Sequence, residues 1–88
     1  MAYDDQNVFA KILRGEIPCK KVYEDEFALA FHDINPMAPV HVLVIPKGPY
    51  VSFADFAREA DAETVGGFFQ AVNTTARELG LDPQGYRI

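Results

Sequence analysis

Tryptophan is absent from this sequence, cysteine occurs once and histidine twice. The lone Cys19 excludes an internal disulfide and cannot furnish a four-ligand zinc site, which fits a reducing compartment. Basic residues are scarce too: eight Lys and Arg face thirteen Asp and Glu, a net charge of −5, with the acidic excess in both halves of the chain. No segment is basic, so an electrostatic hold on nucleic acid or on an anionic membrane is not expected. No apolar run approaches the ~18 residues of a membrane span. The acidic start Met1-Ala2-Tyr3-Asp4-Asp5 is unlike the basic lead of a secretory signal. The expectation is a cytoplasmic chain that binds no membrane. Repeats, low-complexity tracts, G-x-S-x-G, the Walker loop and G-x-G-x-x-G are all missing, which excludes serine-hydrolase and P-loop chemistry.

What is present fits one small α+β domain of 88 residues, 9.8 kDa and 49% hydrophobic composition. Apolar Val8, Phe9, Ile12 and Leu13 predict a short helix over residues 8–14, capped by Asp5 or Asn7 and stopped by Gly15. Residues 20–24 and 27–34 read as a strand hairpin, although its Asp25-Glu26 turn lacks the glycine of the tightest types. Phe27, Leu29, Phe31 and Asp33 then share one face, and Ala28, Ala30, His32 and Ile34 the other. A stiff two-proline loop, residues 35–39, leads to residues 40–45, apolar on both faces apart from His41 and expected to form a central strand. The clearest helix spans residues 62–79, with Val65, Phe68, Phe69, Val72, Ala76 and Leu79 on one stripe, Asp61 as cap and Gly80 as stop. Gly66-Gly67 within it costs about 1 kcal/mol per glycine relative to alanine, which suggests close packing on another element or another subunit. After the Asp82-Pro83-Gln84-Gly85 turn, Tyr86-Arg87-Ile88 reads as the start of a strand.

The chemical inventory is short. His41 lies in an apolar strand, so it must hydrogen-bond a partner or line a cavity; core and functional roles both stay open. His32-Asp33 ends a strand and enters a loop, a place where side chains meet ligands or simply face water. The two histidines are nine residues apart on different elements with no marked further ligands, so no metal site is expected, and no cofactor is implied. Phe9, Ile12, Ile17 and Phe31 could be core or the walls of an apolar slot.

The string Asn7-Val8-Phe9-Ala10-Lys11-Ile12-Leu13-Arg14-Gly15-Glu16-Ile17-Pro18, then Val22-Tyr23-Glu24-Asp25, Ala30-Phe31-His32-Asp33-Ile34-Asn35-Pro36 and Ala38-Pro39-Val40-His41-Val42-Leu43-Val44-Ile45-Pro46-Lys47, closely resembles the amino-terminal two-thirds of histidine triad (HIT) family proteins. The nearest branch is the one that binds purine nucleotides and hydrolyses nucleoside phosphoramidates. The match runs from about residue 5 to 47 and resumes through the long helix to Gly85-Tyr86-Arg87-Ile88. The resemblance implies a HIT-like α+β fold, an antiparallel sheet flanked by a short N-terminal helix and one long helix, assembled as a homodimer in which the long helix and Gly66-Gly67 would contribute to the interface. It also implies that Phe9, Ile12, Ile17, Phe31 and Ile34 wall the base pocket of a purine nucleotide such as AMP or a nucleoside phosphoramidate. His32 would lie beside the nucleoside and Asp33 would accept from the ribose hydroxyls, a role that suits a carboxylate with two acceptor oxygens. His41 would support the catalytic cluster.

Two departures qualify this. The family's His-x-His-x-His, whose middle histidine attacks the α-phosphate to form a nucleotidyl-histidine intermediate, does not occur in these 88 residues. A covalent mechanism without its nucleophile leaves binding alone. Residues 1–88 therefore read as a single HIT-like domain lacking its C-terminal strands, inactive as given; the complete domain would hydrolyse or transfer a nucleoside monophosphate. The alternative is a non-catalytic dimeric scaffold or nucleotide-sensing module. The second departure, Pro49-Tyr50 where many relatives carry Lys-His, touches loop contacts only.

Overall fold

A computed structural model of the chain describes residues 6–33 and 40–88. The elements run α1 (Val8–Leu13), β1 (Lys21–Glu24), β2 (Ala28–His32), β3 (Val42–Pro46), α2 (Phe53–Glu59) and α3 (Ala62–Glu78). Asp5, the alternative cap, Ile34 and the loop at residues 35–39 lie outside the described residues.

The two expected helices start and stop for reasons visible in their termini. Asn7 caps α1, its Oδ1 accepting from Ala10 N at 2.9 Å, and Asp61 caps α3 by accepting from Thr64 N at 2.8 Å. Both helices end in the same double bond pattern: Gly15 N donates to Ile12 O and Glu16 N to Lys11 O, as Gly80 N does to Arg77 O and Leu81 N to Ala76 O. Gly15 and Gly80 stand at φ 77° and 71°, which a side chain would strain.

The hairpin turns without glycine because Asp25 supplies the bonds. Its Oδ1 accepts from Phe27 N at 2.8 Å and Ala28 N at 2.9 Å, while Oδ2 accepts from Tyr23 Oη at 2.9 Å. The sheet is antiparallel with order β1-β2-β3, so β2 is its centre among the described residues. Residues 42–46 form the strand expected over 40–45; among the described residues β3 pairs with β2, and every residue in it is half-buried, whereas Ala28 to Phe31 of β2 are buried. The strand also runs through Pro46. Asp33 N donates to His41 O and Lys47 N to Phe27 O, so Pro46 falls at an intervening pair where an N–H would point away from β2.

The register pairs Ala30 with Tyr23 and Val44, and Phe31 with Leu43. Directly opposed residues share a face, so Ala28, Ala30, Val42 and Val44 form one side and Leu29, Phe31, Leu43 and Ile45 the other. Helix α3 covers the first side. The two alanines, fully buried, are small enough to let it approach. Its most buried residues are Ala71, Thr75 and Ala76; Ala76 belongs to the expected stripe, Ala71 and Thr75 lie beside it and Phe69 is exposed, and Thr75 is tolerated because its hydroxyl donates to Ala71 O at 2.8 Å.

Phe27 departs from the face assigned to it. It lies in the turn before β2, and its ring packs on Gly67, where an added Cβ would come within 2.4 Å of it. That contact accounts for Gly67 within the chain; Gly66 has nothing within 4 Å. Helix α2 is an addition to the sequence reading. Ser52 Oγ accepts from Asp55 N at 3.1 Å and Asp55 Oδ2 accepts from Val51 N at 3.1 Å, a capping pair legible as Ser-x-x-Asp. Phe56, the one buried residue of α2, meets Tyr50 and Phe68 edge-on with ring centres 5.0 and 5.1 Å away. Tyr86-Arg87-Ile88 forms no strand among the described residues.

Candidate functional site

The polar chemistry of the sheet collects where β2 ends and β3 begins. Asp33 follows β2 directly and His41 precedes β3, and the bond from Asp33 N to His41 O at 3.0 Å makes them the next cross-strand pair of the ladder. Their side chains therefore leave the sheet on one face, the face of Phe31 and Leu43. His41 Nδ1 lies 3.3 Å from Asp33 Oδ2, with the carboxylate 21% and the imidazole 34% exposed. Phe31, 4% exposed, sits two residues before Asp33 on this face, and its burial contributes roughly 1.5–3 kcal/mol. The arrangement offers an anionic acceptor and an imidazole beside an apolar floor.

The other expected site residues fall around this pair at different depths. His32 is exposed at the end of β2 and by register lies beside Val42, on the face opposite Asp33. Phe9 is exposed on α1, while Ile12 on the same helix and Ile17 after it are half-buried. Ile34 lies outside the described residues. Among the named residues, contact is given by the Asp33–His41 pair. No group of three or more His, Cys, Asp or Glu among the described residues converges as a metal site.

A second polar cluster lies at the hairpin end. Glu24 takes Lys21 Nζ at 2.6 Å and Lys47 Nζ at 2.7 Å, the latter reaching from beyond β3 across β2 to β1. The two ammonium groups, Lys21 first, hold the Glu24 carboxyl down at about 2. Periodicity and composition do not reveal this clasp, since Lys47 is far from Glu24 in sequence and only the register brings it there. On the α3 side lies a groove of about 760 Å³, lined by His41, Val42, Val44, Val72, Ala76 and Leu79. Helix α3 is its wall, and His41 is the lining residue it shares with the Asp33 pair. No helix among the described residues is long and apolar enough to cross a membrane.

Fold and site together define an α+β protein with an acid–imidazole pair at the open end of an antiparallel sheet. The HIT domain profile matches residues 14–88. A 13.2 kDa HIT-like protein of Azospirillum brasilense is 62% identical over 86 residues, covering 98% of this chain and 70% of the relative. Among solved structures, a HIT family hydrolase from Clostridium thermocellum superposes with TM-score 0.82 at 40% identity, over 96% of this chain and 72% of its own. A histidine triad nucleotide-binding protein from Candida albicans follows at TM-score 0.75 and 30% identity, over 92% and 54%. The chain belongs to the HIT domain family.

Proposed function

We propose that the chain binds a purine nucleoside monophosphate such as AMP on the Phe31 face of the sheet. The observation that carries this is the Asp33–His41 pair, 3.3 Å apart beside a buried aromatic floor. Asp33 accepts from the ribose hydroxyls, Phe9, Ile12, Ile17 and Phe31 wall the base, His32 lies beside the nucleoside, and His41 supports the phosphate chemistry. Two observations support the assignment: a carboxylate can accept two donors at once, and a structural neighbour is a nucleotide-binding protein by name. The associated reaction is hydrolysis or transfer of a nucleoside monophosphate from a phosphoramidate or phosphoanhydride through a nucleotidyl-histidine. The 88 residues hold two histidines and no His-x-His-x-His, so they bind without turnover. The alternative reading is a non-catalytic nucleotide sensor, for which product released from an AMP phosphoramidate would be the contrary result.

A cytoplasmic homodimer completes the reading. Gly66 and the exposed Phe69, one turn apart on α3, are the residues that a second copy would cover. Calorimetric titration tests the site. AMP should bind, and Asp33→Ala should weaken it by about 10- to 100-fold, the range for hydrogen bonds to a charged group. Equal affinity for both proteins would remove Asp33 from the ribose.

A further inference from the structure

We propose that Asp33 is also a positioning residue for His41: its carboxylate fixes the imidazole as the Nδ1–H tautomer, so a ribose held by the same carboxylate is sensed at the histidine ring. The nucleotide half of this inference rests on the proposed function; the tautomer half does not. An ionised carboxylate has only acceptor sites, and a bare ring nitrogen facing it at 3.3 Å would set lone pair against lone pair. A ring that carries a single proton therefore carries it on Nδ1, which leaves Nε2 as its acceptor. The backbone bond from Asp33 N to His41 O, at 3.0 Å, fixes the separation of the two α-carbons, so the side-chain contact is built into the ladder end. Asp33 has one carboxylate for two clients. Ribose hydroxyls that take its lone pairs draw on the same oxygens that hold the ring, and the two contacts are coupled without further movement of the sheet.

The chain has two histidines, which makes the measurement direct. Nitrogen-15 spectra of the imidazole rings, with His41 assigned by difference from His32→Gln, report which ring nitrogen carries the proton. The 88-residue protein without ligand should show His41 protonated at Nδ1. Asp33→Ala should move the proton towards Nε2, the form that an unconstrained imidazole favours in water. Asp33→Asn keeps the size of the side chain but exchanges an acceptor-only carboxylate for an amide that can donate to a bare Nδ1, so it should also lose the Nδ1–H form; a merely structural role for Asp33 would leave the tautomer unchanged in this near-isosteric variant. AMP should then shift the His41 ring signals, and inorganic phosphate should leave them in place. An Nε2–H ring in the wild type overturns the inference even if no variant folds, as does an unchanged ring in a folded Asp33→Ala. AMP that binds by calorimetry yet leaves the ring unmoved overturns the coupling. If AMP fails to bind at all, the nucleotide reading and the coupling that rests on it fall, while the tautomer assignment is judged on the unliganded spectra alone.

Discussion

Adjacent glycines in one helix should respond differently to alanine. Gly66 and Gly67 both lie in α3 and both forgo about 1 kcal/mol of helix propensity relative to alanine. Within the chain a Cβ at Gly66 would meet nothing within 4 Å, so Gly66→Ala should recover that amount in the monomer, melted at a concentration where the chain does not self-associate. At Gly67 the same atom would stand 2.4 to 2.6 Å from three carbons of the Phe27 ring, well inside the ~3.5–4.0 Å of a normal carbon contact. The ring cannot slide away freely, being half-buried in the turn that Asp25 holds by accepting from Phe27 N. Overpacking of this kind costs about 1–3 kcal/mol. Since the propensity gain is common to both variants, the difference between them isolates the clash, about 1–3 kcal/mol. In a domain of this size each kcal/mol moves Tm by about 4–8 °C, so the two melting curves should separate by at least ~4 °C, Gly66→Ala above wild type and Gly67→Ala below its partner. Phe27→Ala in the Gly67→Ala background should remove the penalty, giving a coupling that neither single change predicts. Equal upward shifts for both alanines would refute the packing of Phe27 on α3.

The turn and the charge clasp give two more tests. Asp25→Ala leaves Phe27 N, Ala28 N and Tyr23 Oη without their carboxylate acceptor and should lower the unfolding free energy by about 1–3 kcal/mol by chemical denaturation; a change within error would mean that water replaces the carboxylate without cost. Glu24 has a folded-state pKa of about 2, below its ordinary 4.5, so its stabilisation is present above about pH 4.5 and is lost as pH falls through about 2. With a third of its side chain exposed, solvent screening limits this to about 1 kcal/mol. The Tm gap between wild type and Glu24→Gln should close on acidification across that window and narrow in high salt; a gap constant from pH 5 to 2 would contradict the clasp.

How much was legible in the sequence depended on the range of the interaction. The ends of α1 and α3 were readable because Asn7, Gly15, Asp61 and Gly80 act within a few residues of themselves. The glycine-free hairpin was readable in outline, while the reason it works, Asp25 accepting two amides and a phenol, needs the geometry. Helix α2 was overlooked because it buries one side chain, Phe56, too few for an apolar stripe, although the Ser52 and Asp55 cap marks its start. Strand β3 is readable as a strand from its β-branched apolar run, while its register against β2 needs the geometry. At the site, Asp33 and His41 stood out by residue type in apolar surroundings, and their separate mention in the sequence contained no sign that the register pairs them. The Lys47–Glu24 bridge has no local signature of any kind.

The central claim is that nucleotide binds the Phe31 face of the sheet. Methyl NMR of the 88-residue chain titrated with AMP tests it most directly, because the two faces carry different probes. The prediction is that Leu29, Leu43 and Ile45, which share the Phe31 face, shift on addition of AMP while Val42, Val44 and Val72 beside α3 stay in place. Shifts confined to the three valines would put the ligand in the α3 groove and contradict the account.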